Sequence, residues 1–265
     1  MSWLDTINTI EDLPTGELEP GRIIWLHGVN KGGAKTPGVF YAKASEFTAA
    51  PGAPWAEDNR YADGDNPEHG YSAAELRVAV IGWRQQWFKP GGEGAPTVYL
   101  LGYEPGAKKN VEILCMVEGL DDPMVISASG MNKAKPLLDL IRSYEDGLLK
   151  QASRIAKRAL PRWTFWLPIR NQEKDGKTQY IDATDSAGKS YGSVVTPPAL
   201  FLPADAMESC FVGADILQRG VEIHAMYKSW FGQKRLAPQI VEGEVLPALP
   251  APKNVPQPVG DDELF

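Results

Sequence analysis

Apolar and polar residues alternate in short runs along the first half of the chain, and glycine, proline or aspartate separates the runs. Alternation with a period of two is typical of strands that bury one face. The runs lie at residues 22–28, 38–44, 75–88, 97–103, 110–119 and 124–130. Several short strands of this kind predict a barrel or a sandwich. The Gly/Pro-rich stretch 48–70 is predicted to be a long mobile loop.

The spacing of apolar residues then becomes helical. One stripe is formed by Leu137, Ile141, Tyr144, Leu148 and Ile155, which predicts a helix near residues 136–159. Pro136 suits the first turn of this helix, and Pro161 ends it. A second helix is predicted near residues 206–230. The pattern as a whole predicts a mainly β, α+β fold with two added helices.

Three other segments complete the layout. RWTFWLPIR at 162–170 predicts a strand, and turn signals at Asp175-Gly176 and Ala187-Gly188 predict a hairpin after it. Residues 237–260 contain six prolines and little periodicity, which is typical of an extended linker. The chain is thus predicted to divide into an acidic lead-in at 1–20, a folded core at 21–236, and a disordered tail at 237–265 that carries a Pro-rich linker and an acidic tip.

Composition narrows the class of protein. The chain has 265 residues, and none of its apolar runs approaches the roughly eighteen residues of a membrane span. The first twenty residues lack the basic start of a secretory signal, and Cys115 and Cys210 form no paired motif, so a cytoplasmic protein is expected. The three histidines are scattered without the spacing of metal ligands.

The net charge of −7 is unevenly distributed. Residues 1–20 hold five acids and no base, and residues 237–265 hold five acids and one base. Residues 133–170, in contrast, hold nine bases and three acids. A basic middle between acidic ends is compatible with a polyanionic partner, which a uniformly acidic chain would repel.

Two kinds of site are disfavoured by the sequence. GVNKGGAKTPG at 28–38 is similar to a phosphate-binding loop, but Ala34 separates the second glycine of the pattern from Lys35, and a strand-like run follows where a helix is needed. A hairpin loop is the favoured interpretation. The chain also shows no nucleophile motif and no acid–base constellation, so no enzymatic activity and no cofactor are expected.

Aromatic and basic residues are interleaved in the predicted strands. If 162–170 is a strand, Trp166 lies between Arg162 and Arg170 on the face opposite its apolar residues. In 75–88, Trp83 and Trp87 share a face with Arg77. Exposed aromatic rings flanked by cations are what base stacking and phosphate binding require. The alternative is that both faces of these strands are buried.

The candidate sites follow from this pattern. Base stacking is predicted for Trp166, Trp83, Trp87, Tyr99 and Tyr103. Phosphate contacts are predicted for Arg77, Arg84, Lys133, Lys135, Lys150, Arg154, Lys157, Arg158, Arg162 and Arg170. Four of these bases, from Lys150 to Arg158, fall on one side of the predicted helix and lack acidic neighbours there.

The layout also resembles a known family. The tail closes with Asp261, Asp262, Glu263, Leu264 and Phe265. A β-rich core, a Pro-rich linker and an acidic tip that ends in Phe resemble the single-stranded-DNA-binding proteins of bacteria and their phages. The resemblance implies an OB-like barrel, here elaborated with two helices, and a tip that recruits replication, recombination and repair proteins. Leu264 stands where the bacterial tip has proline, and the Leu-Phe pair also resembles motifs that dock on a sliding clamp.

The expected function is sequence-independent binding and protection of single-stranded DNA in DNA replication or recombination, in a phage or its bacterial host. Two alternatives remain open at this point. One is an adaptor that docks on a sliding clamp or a polymerase. The other is an enzyme that processes nucleic acid.

Overall fold

The computed structural model describes residues 20–26, 29–31, 34–59, 62–63, 66–67, 69–89, 98–100, 102–129, 131–171, 173–175, 177–178, 180–184, 190–192 and 207–232. The strands are β1 (Gly21–Leu26), β2 (Val29–Lys31), β3 (Ala34–Thr36), β4 (Val39–Lys43), β5 (Ala56–Asp58), β6 (Ala62–Asp63), β7 (Asn66–Pro67), β8 (Gly70–Ala73), β9 (Glu75–Lys89), β10 (Val98–Leu100), β11 (Lys108–Val117), β12 (Met124–Ser129), β13 (Leu167–Arg170), β14 (Glu173–Lys174), β15 (Lys177–Thr178), β16 (Tyr180–Thr184) and β17 (Ser190–Gly192). The helices are α1 (Met131–Tyr144), α2 (Lys150–Ala156), α3 (Ala214–Met226) and α4 (Lys228–Gly232).

The protein is mainly β with added helices, as the alternating pattern predicted. All six alternating runs contain strands, with ends that differ by a few residues. The prediction of a mobile loop at 48–70 is wrong for part of that stretch. Within that stretch β5 pairs with β8, and Trp55 packs into the core. An apolar indole and a strand edge therefore hold part of the segment in place.

One curled sheet forms the centre of the fold, in the order β10-β9-β11-β12-β1-β4-β8-β5. Neighbours in this order are antiparallel except β1 and β12, which are parallel. The long strand β9 has two different partners on one side. Its start pairs with β13, whereas its end pairs with β10. Three segments are hereafter called the ribbon end: the end of β9 (85–89), the whole of β10 (98–100) and the start of β11 (108–110).

A β-bulge reverses the alternation within β9. Gly82 pairs with Leu114, but Val80 pairs with Cys115, so that Ile81 is the extra residue. Val80 lies in the inner core and Ile81 in the outer core. Beyond the bulge, Trp83 packs against the inner core. The expectation that Trp83 shares a face with Arg77 is therefore wrong.

The inner core lies between the sheet and a long helix. This helix runs through α1, a π-helical turn at Glu145–Leu149, and α2. The predicted apolar residues up to Leu148 are buried, but Ile155 is 58% exposed. A π-helical turn adds one residue and rotates everything after it out of phase with the original stripe. The sequence contains a signal for this π-helical turn, since Gly147, a weak helix former, lies within it.

Both ends of the long helix differ from the prediction. The helix begins at Met131, so Pro136 lies inside it and removes one backbone hydrogen bond from the second turn. It ends at Ala156 because Lys157 adopts the left-handed conformation, with φ 53°. The amide of Arg158 then donates to the carbonyl of Ser153 at 3.2 Å, which completes a Schellman motif.

The outer core lies on the other face of the sheet and contains the predicted stacking residue Trp166. The predicted strand 162–170 begins as a 3₁₀ turn at Arg162–Thr164 and is a strand only from Leu167. Trp163 and Trp166 consequently both pack beneath α3, and the Trp163 indole donates to the Leu217 carbonyl at 3.0 Å. The expectation of an exposed Trp166 is wrong, since it is 9% exposed.

The remaining elements are hairpins and the second predicted helix. β2 and β3 pair across the segment that is similar to a phosphate-binding loop, which confirms the hairpin interpretation. The region after Asn171 forms two hairpins, β14–β15 and β16–β17, where one was predicted. The second helix is shorter than 206–230 and is divided at Tyr227 into α3 and α4. Among the described residues, no helix is long and apolar enough to cross a membrane.

Candidate nucleic-acid interface

The ribbon end gathers aromatic side chains that belong to neither core. Trp87 and Tyr103 meet edge to face, with ring centroids 5.0 Å apart. Phe88 and Tyr99 form a second pair, with centroids 6.3 Å apart. None of the four is among the residues of the inner or outer hydrophobic cluster. These rings therefore do little to hold the sheet to its helices.

Tyr99 and Tyr103 were expected on one side of a single strand, and this is wrong. β10 ends at Leu100, so the alternation does not continue to Tyr103. Tyr99 lies opposite Phe88 in the register, whereas Tyr103 contacts Trp87, the next residue of β9. Successive residues of a strand point to opposite faces of a sheet. The two tyrosines thus belong to two different faces of the ribbon end.

Lysines accompany the aromatic rings. Lys109 is opposite Trp87 in the register, and its Nζ lies 5.9 Å from the centroid of the Trp87 ring. Lys108 is opposite Phe88. Within the described part of the chain, neither lysine has a carboxylate at ion-pairing distance, whereas Lys89 pairs with Glu104 at 2.8 Å. Two cations beside the rings are therefore not neutralised by described carboxylates.

A second basic cluster lies in the last turns of the long helix and just beyond its end. Lys150, Arg154, Lys157 and Arg158 are all exposed, but Lys157 and Arg158 follow the last helical residue, Ala156, so the four do not share one helix face as predicted. None of the four has an ion-pairing carboxylate among the residues that the structure describes. These four residues are hereafter called the basic helix end. At 1.5 Å per residue, Lys150 and the helix end at Ala156 lie roughly 28 Å and roughly 38 Å from Met131 along the helix axis.

The two clusters are not brought together. The long helix begins just after Ser129, and this residue pairs with Asn110 beside the ribbon end. The basic helix end is consequently remote from Trp87, by about the length of the helix. The fold therefore separates the predicted stacking residue Trp87 from the four predicted phosphate contacts of the basic helix end.

Apart from Arg84, the remaining five predicted phosphate contacts lie elsewhere in the fold, and four of them are ion-paired. Arg77 pairs with Glu118 at 2.7 Å, and Lys135 pairs with Asp139 at 2.6 Å. Arg162 pairs with Glu145 at 2.5 Å, and Arg170 pairs with Glu75 at 3.5 Å. Lys133 is in α1, and its side chain lies outside the description. A phosphate would have to compete with a carboxylate at each of the four paired positions.

Arg84 has a structural role that the sequence did not reveal. Its guanidinium is 9% exposed and pairs with Glu112, which is 1% exposed, at 2.7 Å. Arg22 pairs with the other oxygen of Glu112 at 2.9 Å. The Arg84 guanidinium also lies 4.0 Å from the centroid of the Trp230 ring and donates to the Trp230 carbonyl at 3.0 Å. Buried in these contacts, Arg84 is not positioned to bind phosphate.

The charge of Glu112 is stabilised by this arrangement. Burial by itself raises the pKa of Glu112, but the positive charges of Arg84 and Arg22 and their hydrogen bonds outweigh burial. The net result is a pKa below the ordinary value of 4.5. Glu112 is therefore ionised at neutral pH and holds two strands and α4 together.

Residues that sequence reasoning missed are Phe88, Lys108, Lys109 and Glu112. A signal existed for the lysines, since Lys108 and Lys109 directly precede an apolar strand. Glu112 gave a weaker signal, as a single acid within an apolar run. The predicted tip from Asp261 to Phe265 lies outside the described residues.

The described residues contain no group of three or more His, Cys, Asp or Glu side chains that could hold a metal ion. Comparisons with protein-family models, with curated proteins and with solved structures found no match. The aromatic rings and lysines of the ribbon end and the exposed bases of the basic helix end are therefore the features that indicate a function.

Proposed function

We propose that this protein binds single-stranded DNA without sequence preference, with bases stacked at the ribbon end. The supporting observation is that Trp87, Tyr103, Phe88 and Tyr99 lie outside both cores while Lys108 and Lys109 stand opposite them. Stacking on aromatic rings is tolerant of sequence because every base has a π-face, and lysines supply the phosphate contacts. The curled sheet is compatible with an OB-like barrel, which forms part of the proposal.

The proposal also assigns a role in the cell. A protein that covers single strands protects them during DNA replication, recombination or repair, in a phage or in its bacterial host. It needs no cofactor and performs no catalysis. The tip Asp261–Phe265 would recruit the proteins that act next on the covered strand.

A titration tests the proposal. Oligo-dT added to the protein is expected to quench tryptophan fluorescence, because Trp87 stacks on bases. The logarithm of the affinity should fall linearly with the logarithm of salt concentration. Full intensity throughout the titration would contradict the stacking proposal. Degradation of the oligonucleotide in Mg²⁺ would favour an enzyme instead, and binding to a sliding clamp but not to dT would favour an adaptor.

The basic helix end supplies a length-dependent prediction. Arg154→Glu with Arg158→Glu should weaken the binding of long oligonucleotides and leave an oligonucleotide of about four nucleotides unaffected. The physical reason is the separation of these arginines from Trp87 by roughly the length of the helix. Binding measured by anisotropy at two lengths checks this. A loss of equal size at both lengths would show that the two clusters act as one surface.

The acidic tip supplies another prediction. Residues 260–265 hold three acids, and a carboxylate-rich segment competes weakly with phosphates for the same lysines and arginines. Deletion of these residues is expected to tighten binding to single strands, most strongly at low salt. The measurement is a salt series on the full chain and the truncated chain. Equal affinities at every salt concentration would exclude competition by the tip.

A further inference from the structure

The ribbon end carries the same set of groups on both of its faces. On one face Trp87 contacts Tyr103, and Lys109 stands opposite Trp87. On the other face Phe88 contacts Tyr99, and Lys108 stands opposite Phe88. We call these the Trp87 face and the Phe88 face. Each face thus has two aromatic rings and one lysine that pairs with no described carboxylate.

The packing of the sheet against its helices does not account for this duplication. Elsewhere in β9 the two faces are both covered, one by the long helix and one by α3 and α4. At the ribbon end neither aromatic pair is part of these clusters. Burial against the helices therefore explains neither pair, and a π-face beside a cation is what a nucleotide requires.

The edge of the sheet connects the two faces. β10 is the first strand in the sheet order and is only three residues long. Val98, in this strand, is 45% exposed. Trp87 and Phe88 are consecutive residues of β9, so β10 is the only described element between the two faces on this side of the sheet.

We propose that a single strand of DNA wraps around the β10 edge and stacks bases on both faces of the ribbon end. The inference rests on the proposed function and specifies how the strand is held. Phosphates near Trp87 contact Lys109, and phosphates near Phe88 contact Lys108. A short oligonucleotide occupies one face at a time, so two of them bind to one protein, whereas a longer strand occupies both faces.

Stoichiometry and a pair of variants test this inference. With the full chain, oligo-dT of about four nucleotides should bind at two per protein, and oligo-dT of about sixteen at one per protein. Tyr99→Ala should weaken the binding of the longer oligonucleotide roughly tenfold, and Trp87→Ala should weaken it by at least as much. Tyr99→Phe is the matched control, because it keeps the ring and should bind like the wild type.

The outcomes separate the inference from the proposed function. If Trp87→Ala weakens binding while Tyr99→Ala and Phe88→Ala do not, the wrapped strand is wrong and the proposed function stands. If the wild type does not bind oligo-dT at any length, both are wrong. Two long strands per protein would also overturn the inference, since each face would then hold a separate strand.

Discussion

Glu112→Ala is expected to lower the free energy of unfolding by about 3–5 kcal/mol, the usual cost of removing one partner from a buried ion pair. The loss is large because Arg84 stays almost fully buried and loses the buried carboxylate that it pairs with at 2.7 Å. Urea unfolding at neutral pH measures the change. If the unfolding free energy of Glu112→Ala equals that of the wild type, the ion pairs of Glu112 with Arg22 and Arg84 do not stabilise the fold.

The matched control is Glu118→Ala. Glu118 also pairs with an arginine of β9, at the same 2.7 Å, but both side chains of that pair are more than one-third exposed. Exposed pairs contribute at most about 1 kcal/mol, so this variant should differ little from the wild type. The double variant Arg84→Met with Glu112→Met should recover most of the stability lost in Glu112→Ala, because it removes the buried charge of Arg84 together with that of Glu112.

The same cluster predicts a pH dependence. The folded-state pKa of Glu112 lies below its ordinary value of 4.5, so its stabilising contribution is complete above that value. The contribution is lost as the pH falls through the lowered pKa. The difference in unfolding free energy between the wild type and Glu112→Gln should therefore shrink as the solution is acidified from about pH 4.5. A difference that stays constant would contradict the assignment.

Trp87→Ala is expected to weaken the binding of oligo-dT roughly tenfold to a hundredfold. Alanine substitution of a stacking residue costs about 1–3 kcal/mol per base, and 1.4 kcal/mol is tenfold in affinity. Trp87 is outside both cores, so the variant should keep the unfolding midpoint of the wild type. Anisotropy with a labelled oligonucleotide gives the affinity, and urea unfolding gives the midpoint.

Phe211→Ala is the control for Trp87→Ala. Phe211 is an exposed aromatic residue, but it forms a bridge with Phe165, just before β13, and β13 pairs with the opposite half of β9. This variant should bind oligo-dT like the wild type. If Phe211→Ala weakens binding as much as Trp87→Ala, the site is not at the ribbon end.

Lys109→Gln should reduce the slope of log affinity against log salt concentration by about 0.7, the value for one phosphate of a single strand.

The sequence predicted the strands well because alternation reports directly on one buried face. It failed where the backbone departs from regular geometry. The bulge at Ile81 moved Trp83 to the inner face, and the 3₁₀ turn at Arg162–Thr164 placed Trp166 beneath α3. A glycine inside a strand often marks a bulge, so Gly82 was a local signal for the first irregularity that the regular alternation of 75–88 obscured.

The candidate site was predicted in part. Trp87 does contact Tyr103, but Tyr99 lies on the other face with Phe88, and Arg84 is buried beside Glu112. The sequence pattern around a lone arginine in a strand is the same whether the arginine faces solvent or a buried carboxylate. For Arg84 the carboxylate partner is twenty-eight residues away along the chain. Cross-strand partners can be identified only after the register is known.

β9 joins the core to the ribbon end as one continuous backbone, yet the two halves are stabilised differently. The half before the bulge is packed on both sides, whereas the aromatic rings beyond Gln85 belong to neither hydrophobic cluster of the described residues. Regions with few buried contacts open locally at a small fraction of the global free energy. Amide hydrogens beyond Gln85 should therefore exchange through local fraying, while those near Val78 exchange only when the domain unfolds. A bound strand would slow exchange in the first group alone, and the ribbon end could thus accumulate substitutions at little cost to folding.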